Sequence, residues 1–164
     1  MSFSGSVTTE QLTLEPLTVA HADEMVAVLQ DPSLYEFTGG ESPTLDGLRS
    51  RYEFQIAGAP DPNEIWVNWI IRRNVDGRAL GFLQADIVGA EAELAWVVAP
   101  EHQGSGIATE AAAAIRADLS TRGVDTFLAC IRPEHMASQA VAQRIGLTFT
   151  GELDDDGEQI WSSK

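Results

Sequence analysis

Three strand patterns, Ile65–Arg72, Leu80–Val88 and Ala92–Val98, follow one another with only a few residues between them. Connections that short cannot hold a helix. The segments Val75-Asp76-Gly77-Arg78 and Val88-Gly89-Ala90 carry glycine where a tight reversal needs it, so the strands pair as consecutive hairpins. A strictly alternating, doubly wound domain is thereby excluded.

The remaining patterns fit around this meander. Leu12 and Leu14 alternate with polar residues in a strand over Gln11–Glu15. Thr18 then caps a helix with Val19, Ala22, Met25, Val26 and Leu29 at helical spacing, and Pro32 ends it. A second helix runs from about Thr44 to Gln55, with Leu45, Leu48 and Tyr52 on one face. After the meander, a long helix spans Ile107 to Arg122 and stops at Gly123. A strand over Thr126–Arg132, a helix over Ser138–Ile145 and a hairpin pairing Thr148–Leu153 with Gln159–Ser162 complete the chain. The expectation is an α+β domain over residues 9–164: a mixed sheet with helices on its faces, preceded by a flexible tail over residues 1–8.

Composition narrows the partners. Ten Lys and Arg stand against 25 Asp and Glu, a net charge of −15, and no base precedes Arg49. Such a surface repels phosphate backbones and anionic lipids, so neither nucleic acid nor membrane is an expected partner, whereas cations are attracted. The single cysteine, Cys130, excludes an internal disulfide; in the apolar run Phe127–Ile131 it reads as a small buried hydrophobe. His21, His102 and His135 show no metal-ligand spacing, so no metal is expected. No apolar run approaches a membrane span and no basic leader opens the chain, which makes the cytoplasm the expected compartment. Trp66 and Trp69 fall on opposite faces of one strand, one toward the core and one toward a cleft.

The stretch from Glu93 to Thr109 carries the chemistry. A strand runs out at Val98, the chain turns over Pro100, and Gly104 and Gly106 introduce the long helix. Glycines there expose consecutive N–H groups beside the unpaired donors and positive end of the helix, which suits a diphosphate. A glycine turn into a helix with no ligand is the alternative reading. Other phosphate motifs fail: Ile107 stands where a Walker loop needs Lys, and Thr109 where the dinucleotide fingerprint needs Gly. A nucleophile elbow needs glycine two positions before and after its serine, and Ser105 has Gln103 and Ile107 there.

Gln103-x-x-Gly106-x-Ala108 resembles the Q/R-x-x-G-x-G/A acetyl-CoA loop of the GNAT N-acetyltransferases. The segment from Thr9 to Thr18 is similar to the opening strand of their Rim-type branch, which includes ribosomal-protein N-terminal acetyltransferases. Ile131 to Leu147 resembles that branch's second motif, and Gly151 to Trp161 its closing hairpin. The resemblance covers about residues 9–161. It implies a seven-stranded, mostly antiparallel sheet with about four helices, and acetyl transfer from acetyl-CoA to a primary amine by direct attack. The acceptor would be a small molecule or a protein N-terminus, approached from Tyr35–Pro43 and the hairpin around Gly157, and the protein a monomer or homodimer.

Residue by residue, the resemblance gives acetyl-CoA contacts to Val98, Gln103, Gly104, Ser105, Gly106, Ile107, Ala108 and Thr109. His135 stands where the family usually has the Asn that contacts the pantetheine arm. Ser105 stands where a base is common, which leaves the diphosphate to backbone amides, with Arg144 either reaching an outer phosphate or lying solvated on its helix. Glu93 is the candidate base, acting through water, or else a solvent-facing strand carboxylate. The family's usual tyrosine acid is Ala142 here; Ser138 takes that place, as acid, as helix N-cap or as both. A catalytically silent acyl-CoA-binding or interaction domain is the alternative function.

Overall fold

In the computed structural model, which describes residue 3 and residues 5–164, eight strands form one sheet with four helices on its faces. The strands are β1 (Val7–Thr8), β2 (Leu12–Pro16), β3 (Glu64–Arg73), β4 (Ala79–Val88), β5 (Glu91–Val98), β6 (Thr126–Ile131), β7 (Thr148–Leu153) and β8 (Gln159–Ser162). The helices are α1 (His21–Val28), α2 (Leu45–Ala57), α3 (Ile107–Thr121) and α4 (Met136–Arg144). Sheet order is β1-β2-β3-β4-β5-β6-β8-β7, and only β5 and β6 run parallel.

The strand count is eight rather than seven because Val7 and Thr8 pair with Leu14 and Thr13. The tail expected over residues 1–8 thus ends in an edge strand; residues 1, 2 and 4 lie outside the described residues. Glu110 of α3 fixes this edge, accepting from Thr9 Oγ1 at 2.6 Å and from the Gln11 backbone and side chain.

Alternation places two cores on opposite faces of the sheet. Leu83, Ala85 and Ile87 of β4, with Ala92 and Leu94 of β5, pack under α3 and α4 against Ile115, Leu119 and Ala142. Ile70 and Ala79 face the other way, against Met25 of α1 and Leu48 and Tyr52 of α2. Trp69 is 1% exposed in the first core, while half-buried Trp66 faces the other side against Phe54. The helices α1 and α2 cover only part of their face, and the rest stays open over β4, β5 and β6.

Two expected caps are corrected. The N-cap of α1 is Ala20, not Thr18; Thr18 instead donates its backbone N–H to His21 Nδ1 at 2.9 Å, so the chain turns once before helix begins. Helix α4 starts at Met136 with His135 as its cap, so Ser138 lies within the first turn. Thr44 caps α2, accepting from the Gly47 N–H at 3.1 Å.

Candidate active site

The ladder between β5 and β6 consists of three pairs, Glu91 with Thr126, Ala92 with Phe127 and Glu93 with Leu128. Beyond them the strands part, although β5 continues to Val98 and β6 to Ile131. Between Leu94 and Val98, one edge of β5 has no strand beside it. Backbone donors and acceptors on that edge are available to an extended ligand. A close approach stiffens this half of β5: Gly81 lies opposite Val98, and a Cβ there would sit 2.0 Å from the Val97 carbonyl oxygen.

At the end of β5 the chain makes a short turn over Pro100–His102 into the glycine loop. Gly104 and Gly106 take φ of 79° and 81°, values that a side chain would strain. Gly106 is the N-cap of α3 and no side chain caps this end, so the first-turn N–H groups stay open to an anion. Gln103 Nε2 donates to the Val98 carbonyl at 2.8 Å and ties loop to strand end. Ser105 Oγ donates to the His102 carbonyl. Two polar atoms near this turn, His102 Nε2 and Thr109 Oγ1, are buried without a hydrogen-bond partner among the described residues.

Arg144 is exposed at the end of α4. The adjacent Ile145 carbonyl accepts from Arg116, in the third turn of α3.

Glu93 is the last paired residue before the strands part, and its exposed side chain points to the open face. There it joins other acids. Asp86 is its direct neighbour on β4, and burial, then the charges of Glu93 and Glu64, push the Asp86 carboxyl up. Cys130 is half-buried rather than enclosed, and its thiol donates to Glu93 Oε1 at 3.5 Å. Burial and the Glu93 charge push that thiol up to about 12, so it is a poor nucleophile at neutral pH. Burial and neighbouring acids, Asp154 first, also raise the carboxyl of Glu158.

His135 and Ser138 close the β6 side. Ser138 donates its backbone N–H to His135 Nδ1, and its Oγ lies 3.0 Å from His135 Nε2. Burial holds the imidazole below its ordinary range, against a smaller opposing pull from Glu36. A neutral ring accepting at Nδ1 carries its proton on Nε2 and donates it to Ser138 Oγ, which leaves the Ser138 hydroxyl proton free for another acceptor.

Two contacts here have no marker in the sequence pattern. Phe37 stacks on His135 with centroids 4.4 Å apart. Arg132 donates from Nε to the Phe37 carbonyl and from Nη1 to the Asp156 carbonyl, joining the segment before α2 to the β7–β8 hairpin. Both partners are main-chain carbonyls, which any residue type supplies, so only the folded chain identifies them.

Comparison with known proteins agrees with this geometry. The acetyltransferase (GNAT) domain family matches residues 11–148. No curated protein matches the sequence. Among solved structures, an acetyltransferase from Agrobacterium tumefaciens is 26% identical, with a TM-score of 0.75 and coverage of 99% of this chain and 96% of that one. RimL, a ribosomal alpha-N-protein acetyltransferase in complex with coenzyme A, is 18% identical with a TM-score of 0.81 over 96% of each chain. The microcin self-immunity acetyltransferase MccE, in complex with acetyl-CoA and AMP, is 17% identical with a TM-score of 0.79 over 94% of this chain and 92% of that one. The parted β5 and β6 strands, the uncapped glycine loop and the family match together place this chain in the GNAT acetyltransferase family.

Proposed function

We propose that the protein transfers the acetyl group of acetyl-CoA to the primary amine of a small molecule or protein N-terminus, in the cytoplasm, by direct attack within a ternary complex. The observation that carries this reading is the end of the β5–β6 ladder at Glu93: an unpaired strand edge, a carboxylate at its mouth and an uncapped helix start at its far end. The complexes of MccE with acetyl-CoA and of RimL with coenzyme A support it.

On this reading the open edge of β5 up to Val98 holds the pantetheine arm and the carbonyl oxygen that gains charge as the amine attacks. Main-chain amides over residues 103–109 carry the diphosphate, and Gln103 keeps the loop joined to the strand. The cosubstrate supplies an activated thioester; the protein supplies position and protons. Glu93, acting through water, accepts the proton that an arriving ammonium must lose. Ser138, whose hydroxyl is oriented by His135, donates to the departing thiolate.

The test is thiol release from acetyl-CoA across a panel of amines and peptides. Wild type should turn over, Glu93→Gln should lose roughly 10²-fold or more in kcat, and Ser138→Ala should lose kcat without losing acetyl-CoA affinity. Binding of acetyl-CoA with no turnover of any amine would instead favour a silent binding domain.

A further inference from the structure

A cavity of about 250 Å³ lies under α2, beside the open face of the sheet. Its polar lining comes from Arg51, Tyr52 and Gln55 of α2, Asn68 of β3 and Gln84 of β4. Tyr52 is only 4% exposed, and its hydroxyl has no hydrogen-bond partner among the described residues. A buried donor left unpaired is a desolvation cost that a ligand can offset.

Arg51 adds a second, independent observation. Of the ten bases, six pair with carboxylates and two, Arg116 and Arg132, donate to main-chain carbonyls. Arg51 and Arg144 make no hydrogen bond or ion pair among the described residues. With 25 acids in the chain, an arginine kept unpaired beside a cavity has its charge free for something else.

Strand register fixes where this cavity lies relative to the proposed chemistry. Asn68, Gln84 and Ala95 form one cross-strand row on the open face. Trp66, Asp86 and Glu93 form the next. Two residues along a strand and one strand across separate Gln84 from Glu93 by roughly 8 Å. The open face is therefore bipolar, with carboxylates around Glu93 and Asp86 and donors around Arg51 and Tyr52.

We propose that this cavity receives a carboxylate carried by the acceptor, so that the acceptor is an amino-acid-like molecule whose reacting amine and carboxylate stand several bonds apart. The proposal rests on the acetyl-transfer reading and narrows its substrate class. The amine settles among the acids while the carboxylate accepts from the Arg51 guanidinium and the Tyr52 hydroxyl. A diamine of equal length would press its second ammonium against Arg51, and a plain alkylamine would leave Tyr52 unpaired.

Three acceptors of equal chain length test this: ω-aminohexanoate, hexylamine and diaminohexane, each assayed by thiol release from acetyl-CoA. Aminohexanoate should exceed both others in kcat/KM by about tenfold or more. Tyr52→Phe and Arg51→Gln should each bring that ratio toward one, whereas Arg49→Gln, at a base already paired with Asp23, should keep it. A binding arm separates this proposal from the reading beneath it. Hexanoate, which has the carboxylate but no amine, should bind the wild type by calorimetry and bind Arg51→Gln at least tenfold more weakly. Absent hexanoate binding, equal binding by wild type and Arg51→Gln, or faster turnover of diaminohexane would overturn the proposal. If no amine releases thiol, acetyl transfer itself fails, and the hexanoate titration still decides what the cavity binds.

Discussion

His135 holds three neighbours at once: the Phe37 ring against its face, the Ser138 N–H at Nδ1 and the Ser138 hydroxyl at Nε2. All three suit a neutral imidazole, and burial keeps the ring below its ordinary value of 6.5. A histidine whose folded value is depressed contributes stability that is whole above 6.5 and declines as pH falls through that value. Asn caps a helix without titrating, so His135→Asn should gain thermal stability relative to wild type between about pH 7.5 and about pH 5. Parallel melting curves across that range would contradict the arrangement. The same residue shows what local spacing conveys. Serine is the commoner cap, and Ser138 precedes an apolar helical pattern, so the sequence points to it. The turn through Pro133 and Glu134 starts the helix earlier, and only the folded chain reveals the imidazole in that role. Cys130 differs from expectation for a related reason: alternation along β6 turns it to the open face, where no helix covers it.

Gly81 shows how an element is shaped by one residue. Opposite Val98 the backbones of β4 and β5 approach so closely that a Cβ would meet the Val97 carbonyl at 2.0 Å. Gly81→Ala should therefore destabilise by about 1–3 kcal/mol, read as a lower denaturation midpoint. It should also weaken acetyl-CoA binding, because the displaced segment carries the open edge. An unchanged midpoint would mean that β5 shifts freely there. At this scale the sequence is most informative: period-two alternation and glycine turns place β3, β4 and β5 to within about two residues. Strand β1 escapes that reading because two residues show no period, and it exists only through pairing with β2. The parting of β5 and β6 is equally hidden, since it depends on how far two distant strands stay in register.

Across the whole molecule, the net charge of −15 sets the terms on which any ligand arrives. The charge count is plain in the sequence, but its pairing is not. Most bases are used internally, including Arg72, which bridges Glu15 and Glu24, and Arg132, which spans the two sides of the open cleft. The cavity beside Arg51 and Tyr52 is likewise invisible in sequence, because its walls come from helices and strands far apart in the chain. An anionic cosubstrate binding this chain meets an unfavourable global field and, at residues 103–109, a local array of amides with no base among them. Added salt screens the repulsion across the surface while acting little on short contacts to main-chain amides. Calorimetric titration of acetyl-CoA at rising ionic strength tests this directly. Affinity that holds or tightens from low to physiological salt is the predicted result. No binding at all, or a steep loss of affinity with salt, would contradict the account of how this site holds its cosubstrate.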